Sequence, residues 1–427
     1  MTRTPVPPRD ISVHQVLATL GYGDAIGHEA LGIQHVLQHA GFNSRIYVQT
    51  ADPRLEVLTE DYRDLLDDSR PENILIHHFS IGSRASRVAF ALPDRMILVY
   101  HNITPASYFI GVNPLLVQQC YVGRRELGAY TTRCDLALGD SEFNRQELEQ
   151  IGFPRTGVLP VVPSFEHLDV EPNLMLANEF NDGRTNILFV GRMIPNKRID
   201  DVIRSFHAYQ LRYDAEARLL LVGAHGGFED YVASLYDLIA TQRVPNVHLI
   251  GHVTNEELTA FYDVADLFLS ASEHEGFCVP LIEAFYKRIP VIAFAATAVP
   301  DTMDGGGILY DRKDPRHVAS LIDTVLTDPT LCEVVLEAQD DALDRLERKD
   351  FSSTLLRFVD TVQQRRPVLH PQVAPDFWQQ FELSERLEDI REHRPAAYQA
   401  LPRTVAGAGT SQRHDPPSTT FGARAPW

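Results

Sequence analysis

The stretch ADLFLSASEHEGFCVPLIEAFYKRIPVIAF, residues 265–294, reads as a strand, a polar turn, a helix and a second strand. The strand DLFLS runs into Glu275 and Gly276, and a helix is expected to start near Pro280, where proline is well suited to the first helical position. The N–H groups of Gly276, Phe277 and Cys278 then point into whatever cleft lies beyond the strand ends. A helix dipole stands behind them, an arrangement that suits a diphosphate. Glu275 precedes the helix and Glu283 falls in its first turn, so one carboxylate can meet sugar hydroxyls and the other a ribose. Spacing alone carries little weight, since Glu171 and Glu179 repeat E-x7-E in a region with no strand, glycine or helix start.

A second block, TNILFVGRMIPNKRIDDVI (residues 185–203), has the same build: a buried strand to Val190, then Gly191, Arg192 and Lys197 before a helix. An Arg and a Lys on one loop after a strand can grip one phosphate group, the Arg as a fork and the Lys as a point charge. Both sit in a loop, so replacing either should spare the fold. Only four lysines occur in the chain, which makes this one more informative.

Working outward, apolar strand segments alternate with helical periodicity in two series. The first is expected near 11–18, 45–49, 73–78, 96–101, 134–138 and 156–161. The second is expected near 186–190, 218–222, 247–250, 266–270, 289–294 and 307–310. Such alternation predicts βαβ units and parallel sheets, here as two doubly wound Rossmann-like domains of the α/β class. Ligands bind at the carboxyl ends of such strands, so the site belongs in the cleft between the domains. The expected boundaries are 1–165 for the first domain and 183–350 for the second, with a polar linker at 163–184. Helices at 351–395 follow, the first crossing back to the first domain, and 396–427 are expected to be a disordered tail rich in Gly, Pro, Ser and Thr.

At 427 residues and a net charge of −19, the chain is a poor partner for nucleic acid or an anionic membrane surface. Four scattered cysteines with no C-x-x-C pair argue against a zinc site or disulfide framework. No signal segment or long apolar run is present, so a cytoplasmic protein is expected.

The two blocks, with PVIAF after the second glutamate, resemble the retaining glycosyltransferases of family 4 (group 1), which have the GT-B fold. The likeness covers roughly residues 10–365. It implies that Arg192 and Lys197 hold a donor diphosphate, that Glu275 contacts the transferred sugar and Glu283 the ribose. The amides of Gly276, Phe277 and Cys278 would serve sugar and phosphates, beside Gly191. The loop LIGHVTNEEL brings Val253 to the place that packs on the nucleobase. The first-domain loop LGYGDAIGHEA (residues 20–30) falls where the family has its glycine-rich turn, so Gly23 would face the donor phosphate, with Asp24 on the acceptor side. His101, in MILVYHNITPASYF, takes the place of a family histidine near the transferred sugar. His78 and Ser141 end strands in the same way and are further acceptor-side candidates.

The glycines of that first loop also raise a dinucleotide reading, but RIYVQT ends the second strand in Gln49 and Thr50 without the acidic residue that NAD requires. NAD would also leave both blocks unexplained. After PVIAF the chain departs from the family pattern: the turn is AATAVPD, with Asp301 in the acidic place. The reaction implied is sugar transfer from a nucleoside-diphosphate sugar to a carbohydrate or glycolipid acceptor hydroxyl, without metal or cofactor. Peripheral membrane contact stays open. The alternatives are an epimerase or hydrolase of sugar nucleotides, or a catalytically silent partner subunit on the same fold.

Overall fold

The computed structural model describes residues 10–21, 23, 25–161, 164–365, 379 and 382–401. The first sheet is built from β1 (Val13–Leu20), β2 (Ile46–Ala51), β3 (Glu60–Asp61), β4 (Ile74–Phe79), β5 (Arg95–Tyr100), β6 (Leu136–Gly139) and β7 (Thr156–Val158). Its order is β3-β2-β1-β4-β5-β6-β7, with all pairs parallel. The second sheet holds β8 (Asn186–Val190), β9 (Arg218–Val222), β10 (Val247–Gly251), β11 (Leu267–Ser270), β12 (Val291–Phe294) and β13 (Ile308–Tyr310), ordered β10-β9-β8-β11-β12-β13. These strands lie where the two series of apolar segments place them. The short edge strand β3 escapes the pattern because its two residues, Glu60 and Asp61, are both acidic.

Central strands are buried on both faces, as the continuous run ILIHHF in β4 shows. In the first sheet, Val16, Leu75 and Leu98 pack into one apolar cluster while Val13, Ile76, Ile97 and Val99 pack into another on the opposite face. That second cluster is completed by Leu355, Val359 and Val362 of the helix Phe351–Gln363, and Arg95 Nη1 donates to the Val362 carbonyl at 3.1 Å.

Two segments differ from expectation. The supposed linker holds a helix, Leu174–Phe180, and its surroundings belong to the second domain: Leu168 and Phe180 are buried with Leu188, Leu220 and Phe268. Its helical period is hidden because Leu174 and Met175 point to solvent. The expected tail begins with a helical turn, Pro395–Gln399, whose Tyr398 hydroxyl donates to Asn113 Oδ1 and accepts from the Leu115 amide, both at 3.3 Å. The small residues of PAAYQ give no amphipathic signal. Residues 402–427 lie outside the described residues. The charged pattern FELSERLEDIREH becomes a helix, Glu382–His393, held to the first domain by Arg84 and Arg87 against Glu385 and by Arg84 against Asp389. No helix among the described residues is long and apolar enough to cross a membrane.

Candidate active site

Both sheets reverse their winding between the strand that opens them and the fourth strand of the series: β1 beside β4, and β8 beside β11. In an open α/β sheet this switch point is where the carboxyl-end loops part and leave room for a ligand. The loops after β8 and β11 carry the Arg192/Lys197 and Glu275 blocks.

The loop after β8 is set by close backbone approach. The Gly191 amide donates to the Val222 carbonyl at 2.9 Å, and a Cβ on Gly223 would lie 1.9 Å from the Gly191 carbonyl oxygen. Only glycine fits there. Beyond it, Asn196 ties the two loops together: its Nδ2 donates to the His274 carbonyl at 3.0 Å, and its own carbonyl accepts from the Glu273 amide at 2.8 Å. That brace puts Lys197 Nζ 2.6 and 2.8 Å from the two carboxylate oxygens of Glu275. Burial works against the lysine charge, but the Glu275 carboxylate outweighs it and raises the lysine pKa. The Glu275 amide donates to Thr297 Oγ1 at 2.8 Å. Arg192 is exposed, with its guanidinium 5.7 Å from the centre of the Phe228 ring and no carboxylate partner among the described residues.

The helix after β11 runs Val279–Tyr286, with Cys278 at its N-cap in the left-handed region (φ 79°). Burial raises the Cys278 thiol pKa, so the thiol stays protonated. Among the described residues the amides of Gly276, Phe277 and Cys278 donate to no protein acceptor. Glu283 is buried and fully engaged: Oε1 lies 2.9 Å from His167 Nε2, and Oε2 accepts from the Tyr262 hydroxyl at 2.7 Å. The hydrogen bond to Glu283 raises the His167 pKa. Val253, half-buried after β10, lies beside the same apolar cluster as Leu168 and Phe261.

Across the cleft, the two domains meet at Gly276. A Cβ there would sit 2.9 Å from the His101 carbonyl oxygen and 3.0 Å from Asn102 Cβ. Asn102, itself left-handed at φ 71°, accepts from His274 Nε2 at 2.7 Å and donates to Asn144 Oδ1 at 2.8 Å. Burial holds the His274 pKa down to about 3, so its imidazole is neutral. Asp301 also bridges the domains: its Oδ2 accepts from the Phe143 amide at 2.8 Å, near the start of the helix Glu142–Ile151. A cavity of about 360 Å³ opens beside this contact, lined by Ser141 and Glu142 from the first domain and Phe277 and Asp301 from the second.

The structure thus gathers Gly191, Arg192, Lys197, Glu275, Gly276, Phe277 and Cys278 on adjoining loops, with Glu283 on the helix that follows. The first-domain candidates take other roles. The His101 side chain is 2% exposed, with Nδ1 3.0 Å from Asp140 Oδ2 and Nε2 2.9 Å from His78 Nδ1. His101 therefore meets the cleft through its backbone. His78 is buried behind it, and burial holds its pKa well below the usual histidine value. Ser141 caps the helix Glu142–Ile151, its side chain accepting from the Asn144 amide at 3.2 Å. Gly23 is exposed in a left-handed turn (φ 75°), Gly27 lies inside the helix Ala25–His39, and Asp24 lies outside the described residues. Tyr262, His167, Thr297 and Asn196 were not foreseen. Asn196 stands beside Lys197 and Thr297 lies in the turn AATAVPD, whereas Tyr262 and His167 come from segments with no motif.

Residues 171–340 match the family model described as glycosyl transferases group 1. The chain is 28% identical over 148 residues to the O-antigen chain mannosyltransferase B of Escherichia coli, a segment covering 34% of this chain and 38% of that protein. It is 26% identical over 285 residues to the capsular polysaccharide biosynthesis glycosyltransferase CapM of Staphylococcus aureus, covering 56% of this chain and 72% of that one. The chain therefore spans well under half the length of the first of these relatives. Among solved structures, Anabaena HepE in complex with UDP-glucose shares the fold with a TM-score of 0.65 at 15% identity, over 82% of this chain and all of that one. The architecture is GT-B, and the likeness to the group 1 glycosyltransferases lies in residues 171–340, within the second domain.

Proposed function

We propose that the chain transfers a sugar from a nucleoside-diphosphate sugar to an acceptor hydroxyl, with retention at the anomeric carbon, in the assembly of a polysaccharide or glycoconjugate. The observation that carries this reading is the Lys197–Glu275 pair set beside Arg192 and the Gly276–Cys278 amides, which among the described residues have no carboxylate partner and no protein acceptor respectively. As the bond to the sugar breaks, negative charge builds on the β-phosphate oxygen. Preorganised donors in a water-poor cleft stabilise that charge most. Arg192 and the Gly276–Cys278 amides are the groups open to the phosphates, Lys197 supplies charge from below, and Glu275 faces the sugar. Glu283, held by Tyr262 and His167, orients the ribose.

Charge neutralisation in this scheme comes from Arg, Lys and helix amides, so no metal or cofactor takes part in it. The acidic surface and the unpaired cysteines fit a cytoplasmic enzyme. HepE was solved with UDP-glucose, which makes UDP-sugars the first donors to try. The test is release of sugar or its transfer from a panel of UDP-, GDP- and ADP-sugars. Donor binding without turnover across the panel and a range of acceptors would instead support a silent partner subunit.

A further inference from the structure

Behind the His101 wall, the side chains of Gln15, His78, His101 and Asp140 form an unbroken buried chain, with Glu29 beside its end. Gln15 Nε2 donates to the Ala30 carbonyl at 2.9 Å, which leaves Gln15 Oε1 facing His78 Nε2 at 2.9 Å. Turning the amide round would set two acceptors against each other, so the orientation is fixed. His78 Nε2 therefore carries a hydrogen and, in the neutral ring, Nδ1 is bare. That nitrogen lies 2.9 Å from His101 Nε2, which must carry a hydrogen in turn. His101 Nδ1 then faces Asp140 Oδ2 at 3.0 Å and Glu29 Oε2 at 3.6 Å.

The side chains of Glu29 and Asp140 are only 4% and 8% exposed, and among the described residues Glu29 Oε1 and Asp140 Oδ1 have no hydrogen-bond partner. One ligand atom from each of Glu29, His101 and Asp140 lies within 4.8 Å of the others. With both carboxylates ionised and His101 neutral, three acceptors would converge with no donor and two buried charges would stand unpaired. That arrangement is too costly to persist.

We propose that Glu29 and Asp140 are positioning residues for the transfer reaction, keeping His101 an imidazolium paired with Asp140 while Glu29 remains a neutral acid. The inference rests on the glycosyltransferase reading for its effect on turnover. The link to the reaction is steric: the His101 carbonyl and Asn102 are the surface on which Gly276 rests, so a fixed His101 ring fixes the first-domain wall of the donor loop. Burial first, then the Asp140 charge, push the Glu29 pKa up to about 8, with His101 opposing. The groups facing Glu29 are His101 and Asp140, from the loops after β5 and β6. His78 on β4 is held neutral, and Gln15 on β1 carries no charge. The helix Phe351–Gln363, packed on the same helix as Glu29, meets it in the apolar cluster of Ile33 and Leu37.

When Glu29 ionises, a second carboxylate appears beside Asp140 with a single imidazolium between them, and the wall is pushed out of place. Wild-type kcat/KM for the donor should then fall about tenfold per pH unit above pH 8, the slope of one ionisation. Glu29→Gln cannot ionise and should remove that alkaline limb. Asp140→Asn removes the like charge and should move the limb to lower pH. A purely structural role would lower rates in both variants and leave the limb where it was, which would overturn the proposal. Infrared difference spectra of the full chain, pH 7 minus pH 9, decide the protonation state without any donor. The carbonyl band of a buried carboxylic acid should be present in wild type and weaker in Glu29→Gln. An unchanged band sinks the proposal, as does a stoichiometric metal ion that Glu29→Gln loses. Lack of turnover with every donor would sink the transfer reading alone and leave the infrared result standing.

Discussion

Both carboxylate oxygens of Glu275 are within hydrogen-bond reach of one lysine nitrogen, Lys197 Nζ, at 2.6 and 2.8 Å. Lys197→Ala would strand a buried carboxylate, which costs about 3–5 kcal/mol when one partner of a buried pair is removed. The expectation that a loop lysine can be replaced without harm is therefore revised. Lys197→Ala should unfold at a clearly lower urea concentration, and Glu275→Gln on top of it should recover part of the loss. Arg192→Ala, at an exposed site, should keep the wild-type urea midpoint while slowing transfer by roughly 10²–10³. Near wild-type turnover in Arg192→Ala would remove it from the diphosphate site.

Gly276→Ala tests the contact between domains. Its methyl group would meet the His101 carbonyl at 2.9 Å, so the loop after β11 or the first-domain wall must give. Misplacing reacting groups by about an ångström costs around 10² in rate, and a loss of that order in kcat with an unchanged unfolding midpoint is expected.

Strand positions were legible because doubly buried parallel strands leave continuous apolar runs, and ILIHHF and RLLLV cannot be mistaken for solvated helix. The gathering of the second-domain candidates was legible for a related reason: Gly191, Lys197, Glu275 and Glu283 sit at fixed offsets from strand ends. The first-domain side was not. His101 and His78 do end strands, but a strand end does not say whether a side chain enters the cleft or turns inward. Here a partner 39 residues further along, Asp140, turns His101 inward. Likewise nothing near Glu283 announces His167, 116 residues before it.

Glu283→Gln should weaken donor binding more than turnover, and it carries a direct readout. The hydrogen bond to Glu283 raises the His167 pKa, so an NMR titration of His167 should show its pKa falling in the variant. With a raised pKa, the histidine's contribution to stability is full below the unfolded value and is lost as pH rises through the folded one. Glu283→Gln should therefore lose more stability in mildly acidic buffer than in alkaline buffer. Equal losses at both would separate the pair from folding.

Glu126 offers the opposite experiment. Burial pushes its pKa up to about 8, and among the described residues its Oε1 has no hydrogen-bond partner. Its raised pKa favours the folded state at low pH, and that advantage is lost as pH rises from the unfolded value near 4.5 through about 8. Glu126→Gln should flatten this slope, giving a higher melting temperature than wild type above pH 8. A slope unchanged by the substitution would place the carboxylate in contact with water.

Truncations separate the last helices. Ending the chain after Leu401 should leave folding intact, whereas a cut before Pro395 removes Tyr398 and its bonds to Asn113 and Leu115. Ending it at Asp350 removes Leu355, Val359 and Val362, all at most 1% exposed. Losing even one such side chain costs about 2–5 kcal/mol, so insoluble or inactive protein is expected. A soluble, active product would mean the helix is dispensable.

That helix also sets an order of assembly. Nearly two hundred residues of the second domain are synthesised between β7 and the segment that closes the apolar face over Ile76 and Val99. During synthesis the first domain waits with one side of its sheet uncovered, while the second domain has its own strands in hand. The half that emerges first from the ribosome is thus the half that finishes last. Over that interval its bare face is the surface most in need of protection from aggregation.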